Sequence, residues 1–193
     1  MEIIYNLGGV VGILALGGIL YGMFTRPRLK IKYEAKSDLR QWNFTALNDS
    51  SPLQQRKVFT VHVFNQGKKV AQKCEAFVKI GHSHPKVNLL QKVFPLQWAD
   101  TDYKKLSASM EPVDIIKCPR RLDVLYAESG QSQKGCWIAS SQALAMVPDV
   151  NQFYLPSGKY NLKVSVTCSN GTGDSKSFKL TMGDQWFDMK IKE

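Results

Sequence analysis

Apolar and polar positions change rhythm once along this chain, near residue 25. From Ile3 to Phe24 no side chain is charged, and Gly, Ile, Leu and Val dominate. Beyond Arg26 apolar residues recur at every second position, the spacing that places alternate side chains on one face of a β-strand. "RLKIKYEAK" predicts a first strand. "KVFTVHVFNQGKK" sets Phe59, Val61 and Val63 on one face and predicts a turn at Asn65-Gln66-Gly67. "AQKCEAFVKI" does the same with Cys74, Ala76, Val78 and Ile80. "DIIKC", "RLDVLYAE", "GCWIASSQAL", "YNLKVSVTCS", "SKSFKLTM" and "QWFDMKIKE" follow, separated by Gly, Pro, Asn and Ser clusters. No segment after Arg26 holds a strong 3.6-residue period over three turns, although "SSQALAMV" has the composition of a helical turn. The expected architecture is all-β: an antiparallel β-sandwich over residues 26–193, preceded by one N-terminal transmembrane α-helix within residues 1–25.

The uncharged run is long enough for that helix. At about 1.5 Å per residue, Ile3–Phe24 extends roughly 33 Å, against a hydrocarbon core of about 30 Å. Tyr5, Tyr21 and Phe24 stand at its ends, where amphipathic rings favour the interface, and Pro27 follows as a stop. A secretory signal peptide would need a basic leading region and a shorter apolar stretch, and "MEIIYN" contains no Lys or Arg. Gly8, Gly12, Ala15, Gly18 and Gly22 share one helical face, and two Gly-x-x-x-Gly spacings lie within it. Such a face packs against another membrane helix or a second copy of itself, although glycine is also simply frequent in membrane helices, and Gly9 and Gly17 lie off it.

The net charge is +10, from 26 basic and 16 acidic residues. Most lysines alternate with apolar residues, as on the solvated faces of strands, and no nucleic-acid-binding module is recognisable. The cluster Arg26, Arg28, Lys30 and Lys32 follows the apolar run directly and is placed to meet anionic lipid headgroups. By the positive-inside rule it sets the N-terminus outside and the β-domain in the cytoplasm, with an extracytoplasmic domain as the alternative.

Two stretches resemble known β-sandwich modules. "FTVHVFNQGKKVAQKCEAFVKI" resembles the hairpin of immunoglobulin-like adhesion modules on prokaryotic membrane and envelope proteins. "LPSGKYNLKVSVTCSNGTGDSKSFKLTM" is similar to the late hairpin of fibronectin type III and related sandwiches, in which Tyr160, Leu162, Val164, Val166 and Cys168 would point inward. The chain departs from that pattern at "HSHPKVNLLQKVFPLQWADTDYKKLS", too long for a simple connection, and "QWFDMKIKE" would be an additional strand. The resemblance implies recognition or assembly and carries no catalytic residues.

No constellation of catalytic residues stands out in the sequence. No two of Cys74, Cys118, Cys136 and Cys168 have metal or redox-motif spacing. Cys74 and Cys168 occupy inward phases, so a bridge between them is conceivable in an oxidising compartment, whereas a cytoplasmic domain would keep free buried thiols. His82 and His84 share a face in an extended segment and supply two ligands, too few for a stable metal site. "GQSQKG" lacks the second glycine of a nucleophile elbow, and Asp100, Asp102, Glu111 and Asp114 fit no calcium loop. Asn43, Asn48 and Asn170 head N-glycosylation triplets that matter only outside the cytoplasm. The expectation is a single-pass membrane protein whose β-sandwich serves binding, scaffolding or accessory-subunit roles, with no catalytic activity, cofactor or metal. Its partners would be the lipid bilayer and another membrane protein or itself, with no nucleic acid. The alternatives are a membrane-anchored hydrolase or metal-dependent enzyme using the His82/His84 loop, and an exported cell-envelope adhesion module.

Overall fold

The computed structural model describes residues 18–22, 24–34, 39–41, 55–82, 93–99, 112–129, 134–140 and 153–193. Residues 18–22, 24 and 25 are helical. The remainder is built on twelve strands: β1 (Leu29–Tyr33), β2 (Leu39–Gln41), β3 (Gln55–Asn65), β4 (Ala71–His82), β5 (Val93–Pro95), β6 (Val113–Ile115), β7 (Arg120–Glu128), β8 (Gly135–Ile138), β9 (Tyr154–Pro156), β10 (Gly158–Thr167), β11 (Asp174–Met182) and β12 (Lys190–Lys192). They form two six-stranded sheets, each with one strand off the main path. One runs β1-β3-β7-β8-β9 with β2 also on β3; the other runs β12-β11-β10-β4-β5 with β6 also on β4. All the strand pairings are antiparallel.

The period-two positions are the core. Phe59, Val61 and Val63 of β3 face Cys74, Ala76, Val78 and Ile80 of β4, and all are buried. Tyr160, Leu162, Val164 and Val166 of β10 and Phe178, Leu180 and Met182 of β11 complete the same layer. Tyr33, Phe59 and Phe178 meet edge-to-face, with ring centroids 5.1–5.8 Å apart, and tie β1, β3 and β11 into one aromatic contact.

One expectation is modified. The segment read as a β3–β4 hairpin is an arch: β3 lies in one sheet and β4 in the other. Phe59, Val61 and Val63 of one strand and Cys74, Ala76, Val78 and Ile80 of the other are buried and stack across the core. The stretch β10–β11, by contrast, is a true hairpin, in register from Gly158↔Met182 to Val166↔Asp174. Tyr160, near the start of β10, donates its hydroxyl to the Pro156 carbonyl at 2.8 Å. "QWFDMKIKE" supplies a short 3-10 turn at Trp186–Asp188 and the added edge strand β12. "SSQALAMV" lies outside the described residues except at Ser140.

The long insertion after β4 also has a role. Its described part leaves β5 and crosses between the sheets: Leu96 N–H bonds Ala76 O in one, and Gln97 N–H and Ala99 N–H bond Ala139 O and Arg121 O in the other. On the opposite side β1 closes the gap against β11. Leu29 N–H donates to Thr172 O at 2.9 Å, Ile31 N–H to the Asp174 carboxylate at 2.9 Å, and Lys30 pairs with Asp174 at 3.6 Å. Both flanks of the sandwich are therefore bridged by main-chain hydrogen bonds, which protects sheet edges from unplanned pairing.

Candidate functional site: the junction between helix and sandwich

The helical segment ends on the sandwich without a spacer. Thr25 closes the helix by donating its hydroxyl to Tyr21 O at 2.9 Å, and Leu29 already begins β1. Only Arg26, Pro27 and Arg28 intervene, and the exit is gripped at Thr25, Pro27 and Arg28. Lys69 N–H bonds Thr25 O at 3.0 Å, Thr172 N–H bonds Pro27 O at 3.0 Å, and Gln66 N–H bonds Arg28 O at 2.8 Å.

Asn65 is the hub of this grip. Its Oδ1 accepts from Arg28 N–H at 3.2 Å and from Gly67 N–H at 2.9 Å. Its Nδ2 donates to Lys69 O at 2.7 Å and Ile115 O at 3.1 Å. Four elements thus share one buried amide: the helix exit, the end of β3, the β3–β4 arch and the end of β6. The turn reading of Asn65-Gln66-Gly67 locates this residue but not its contacts, which lie 37 and 50 residues away. Gly67 is required by close approach, because a Cβ there would fall on the Arg26 carbonyl and Pro27. Gly171, in the β10–β11 turn, meets Pro27 from the other side in the same way.

The two gripping turns also hold each other. Asn170 accepts from Gln72 N–H at 2.9 Å and donates to Val70 O at 2.9 Å, while Ser169 N–H reaches Gln72 O at 3.0 Å. Lys73 has φ of 48°, uncommon for a side chain-bearing residue, and its N–H is taken by the Asp114 carboxylate at 2.9 Å. This marks a bulge where β4 begins, at the register shift between Ala71 and Cys74 against β6.

Around the clamp the surface is cationic and apolar together. Arg26, Arg28, Lys68, Lys69, Lys73 and Lys117 are exposed there. Ile116 follows the Asn65-bound Ile115 and is 65% exposed, with Val70 in the arch also exposed. On the helix Ile19, Leu20, Tyr21 and Phe24 are exposed, Phe24 to 72%.

Of the basic residues singled out in the sequence, Arg26 and Arg28 sit in the clamp. Lys30 and Lys32 run up β1 away from it: Lys30 engages Asp174, and the Lys32 ammonium lies 5.0 Å from the Phe64 ring centroid. Of the glycine face, Gly18 and Gly22 are helical, and a Cβ on either would meet nothing within 4 Å. Gly8, Gly12 and Ala15 lie outside the described residues. Among the described residues no helix is long and apolar enough to cross a membrane, and residues 3–17 of the expected span are not among them.

Among the described residues no three His, Cys, Asp or Glu side chains group as metal ligands. His84, Asp100, Asp102 and Glu111 lie outside the described residues, as does the His82 side chain; Asp114 holds the Lys73 amide. Burial pushes the thiols of Cys74 and Cys136 up to about 12, which keeps both protonated near neutral pH and makes them slow nucleophiles. The chain matches no protein-family model, and no curated protein matches it in sequence.

Proposed function

We propose that this chain is a single-pass membrane protein whose helix, about residues 3–24, presents an immunoglobulin-like sandwich for binding, scaffolding or service as an accessory subunit, without catalysis of its own. The observation that carries the reading is the exposed apolar end of the helix abutting a clamp with no spacer. Exposed Ile19, Leu20, Tyr21 and Phe24 suit lipid contact, and Arg26, Arg28, Lys68 and Lys69 then fall at headgroup level. A gripped helix exit holds the sandwich at a fixed attitude to the bilayer, which a presenting module needs and a flexible tether does not provide.

The immunoglobulin-like assignment is supported by strand order. The run β1-β3-β7 opposite β11-β10-β4 corresponds to the A-B-E and G-F-C order of such sandwiches. The Tyr160 hydroxyl on Pro156 O matches their corner at the start of the F strand. The basic flank favours the cytoplasm for the domain, and the helix glycines favour a helical partner, either another membrane protein or a second copy.

Two experiments test this reading. Cys118 is exposed and serves as a native probe of orientation. A membrane-impermeant maleimide should label it only after cells are permeabilised; labelling in intact cells reverses the orientation. Co-purification in mild detergent should lose its partner, or its dimer, on Gly12→Leu or Gly22→Leu. Unchanged recovery with both substitutions removes the helix-packing face.

A further inference from the structure

Cys74 and Cys168 are brought against each other by the β4–β10 ladder. Its last registered pair is Thr167↔Glu75, and the next step of the same register sets Cys168 opposite Cys74. The strands stay together past that point, since Ser169 N–H bonds Gln72 O at 3.0 Å. Both cysteines follow the inward phase of Val164 and Val166 on β10 and of Ala76 and Val78 on β4. Directly opposed residues of an antiparallel pair have Cα atoms about 4.5–5.5 Å apart, within the roughly 4.4–6.8 Å that a disulfide spans. Cys168 also acts on Cys74 electrostatically: after burial, it is the next cause raising the Cys74 thiol.

We propose that Cys74 and Cys168 form a disulfide site that reacts with small-molecule disulfides such as oxidised glutathione. The half-buried Cys168 is the entry point, because Cys74 is fully buried. The Cys168 thiolate attacks one sulfur of glutathione disulfide, forms a mixed disulfide and expels one glutathione thiolate. Cys74, giving up its proton as it reacts, then attacks the Cys168 sulfur, closes the protein disulfide and expels the second glutathione as its thiolate. Two protein thiols are oxidised, one glutathione disulfide is reduced to two thiols, and the two cysteine protons end on the released glutathiones. Cys136 is buried on β8 and takes no part, and the exposed Cys118 gains only a mixed disulfide.

The position gives the bond a consequence. Cys74 adjoins Lys73 at the bulge, and Cys168 adjoins Ser169 and Asn170, which hold Gln72 and Val70. A disulfide here pins the arch to the β10–β11 turn, and those two turns grip Thr25 and Pro27. In a reducing cytoplasm the site stays a dithiol, and in an oxidising compartment it locks the clamp. The inference stands on the ladder and holds for either orientation of the chain.

The test uses the full chain in detergent carrying Cys118→Ser, equilibrated in buffers of graded reduced and oxidised glutathione, acid-quenched and alkylated. The expected product has lost two hydrogens, takes up alkylating reagent at Cys136 alone, and yields a cross-linked peptide pair containing Cys74 and Cys168. Its melting temperature exceeds that of the reduced form by roughly 5–15 °C. Full oxidation that leaves Cys74 alkylated and Cys168 capped by glutathione overturns the proposal. So does a cross-link through Cys136, or no cross-link at any ratio. The peptide map needs no cysteine substitution in the core, so it does not depend on a variant that fails to fold.

Discussion

The side-chain oxygen of Asn65 accepts a hydrogen bond from the backbone N–H of Arg28 at 3.2 Å, across 37 residues of chain. That bond joins the exit of the helix to the end of β3. Asn65→Ala removes four hydrogen bonds and leaves the Ile115 and Lys69 carbonyls without this donor. The expected loss is about 2–4 kcal/mol in denaturant unfolding of the full chain, with faster hydrogen exchange at Arg28 and Gly67. A loss under about 0.5 kcal/mol would show that the hub is not a structural centre.

Gly67 and Gly171 press on Pro27 from two turns, so Gly67→Ala and Gly171→Ala should each force the junction apart. Overpacking of this kind costs roughly 1–3 kcal/mol. Gly18→Ala, whose Cβ meets nothing within 4 Å, is the matched control and should leave sandwich stability unchanged. Equal effects from the control and the two turn variants would contradict the clamp.

Alkaline pH should unfold the sandwich early. Burial pushes Cys136 and Cys74 from 9.0 up to about 12, with Cys168 adding to Cys74. Burial, then the neighbouring Cys136 and Tyr154, pushes Tyr160 from 10.0 up to about 12. Above pH 9 the unfolded chain gives up these protons while the folded chain keeps them, so the folded state binds more protons and stability falls with pH. It is fully present below about pH 9 and is lost as pH climbs through about 12. Urea titrations along that range should show the decline, with a shallower slope in Cys136→Ala. A flat profile to pH 11 would contradict the burial of these groups.

Two pairs of lysines stand directly opposite each other on the outer face of the second sheet: Lys79↔Lys163 and Lys179↔Lys192. Like charges in that position destabilise, and opposite charges stabilise by roughly 0.2–1 kcal/mol. Lys163→Glu should therefore raise stability at low ionic strength, with the gain shrinking near 1 M salt, where screening acts over about 3 Å. A loss of stability at low salt would mean that Lys163 has a partner other than Lys79.

The layers of the sandwich were legible because burial follows period two: the inward residues of β3, β4 and β10 can be read directly from "FTVHV", "CEAFVKI" and "YNLKVSV". The entry "LPSGKY" likewise marked the start of β10 and the inward phase of Tyr160, although not its bond to Pro156. Long-range relations were not legible. Nothing local says that β4 leaves the sheet of β3, because an apolar strand face fits either a hairpin or an arch. Asn65 reads as an ordinary turn residue, since its role is set by Arg28 and Ile115, which local spacing does not connect to it. The β5 segment is short, and its crossing at Leu96 to Ala99 depends on carbonyls of β4, β7 and the end of β8.

The central proposal is that the chain is held in a bilayer by a helix that includes the helical residues 18–22, 24 and 25. Alkaline carbonate extraction of membranes from cells expressing the full chain tests it most directly. The account predicts that the protein stays in the pellet with integral proteins, and that a chain beginning at Arg26 moves to the supernatant. Release of the full chain into the supernatant would contradict it.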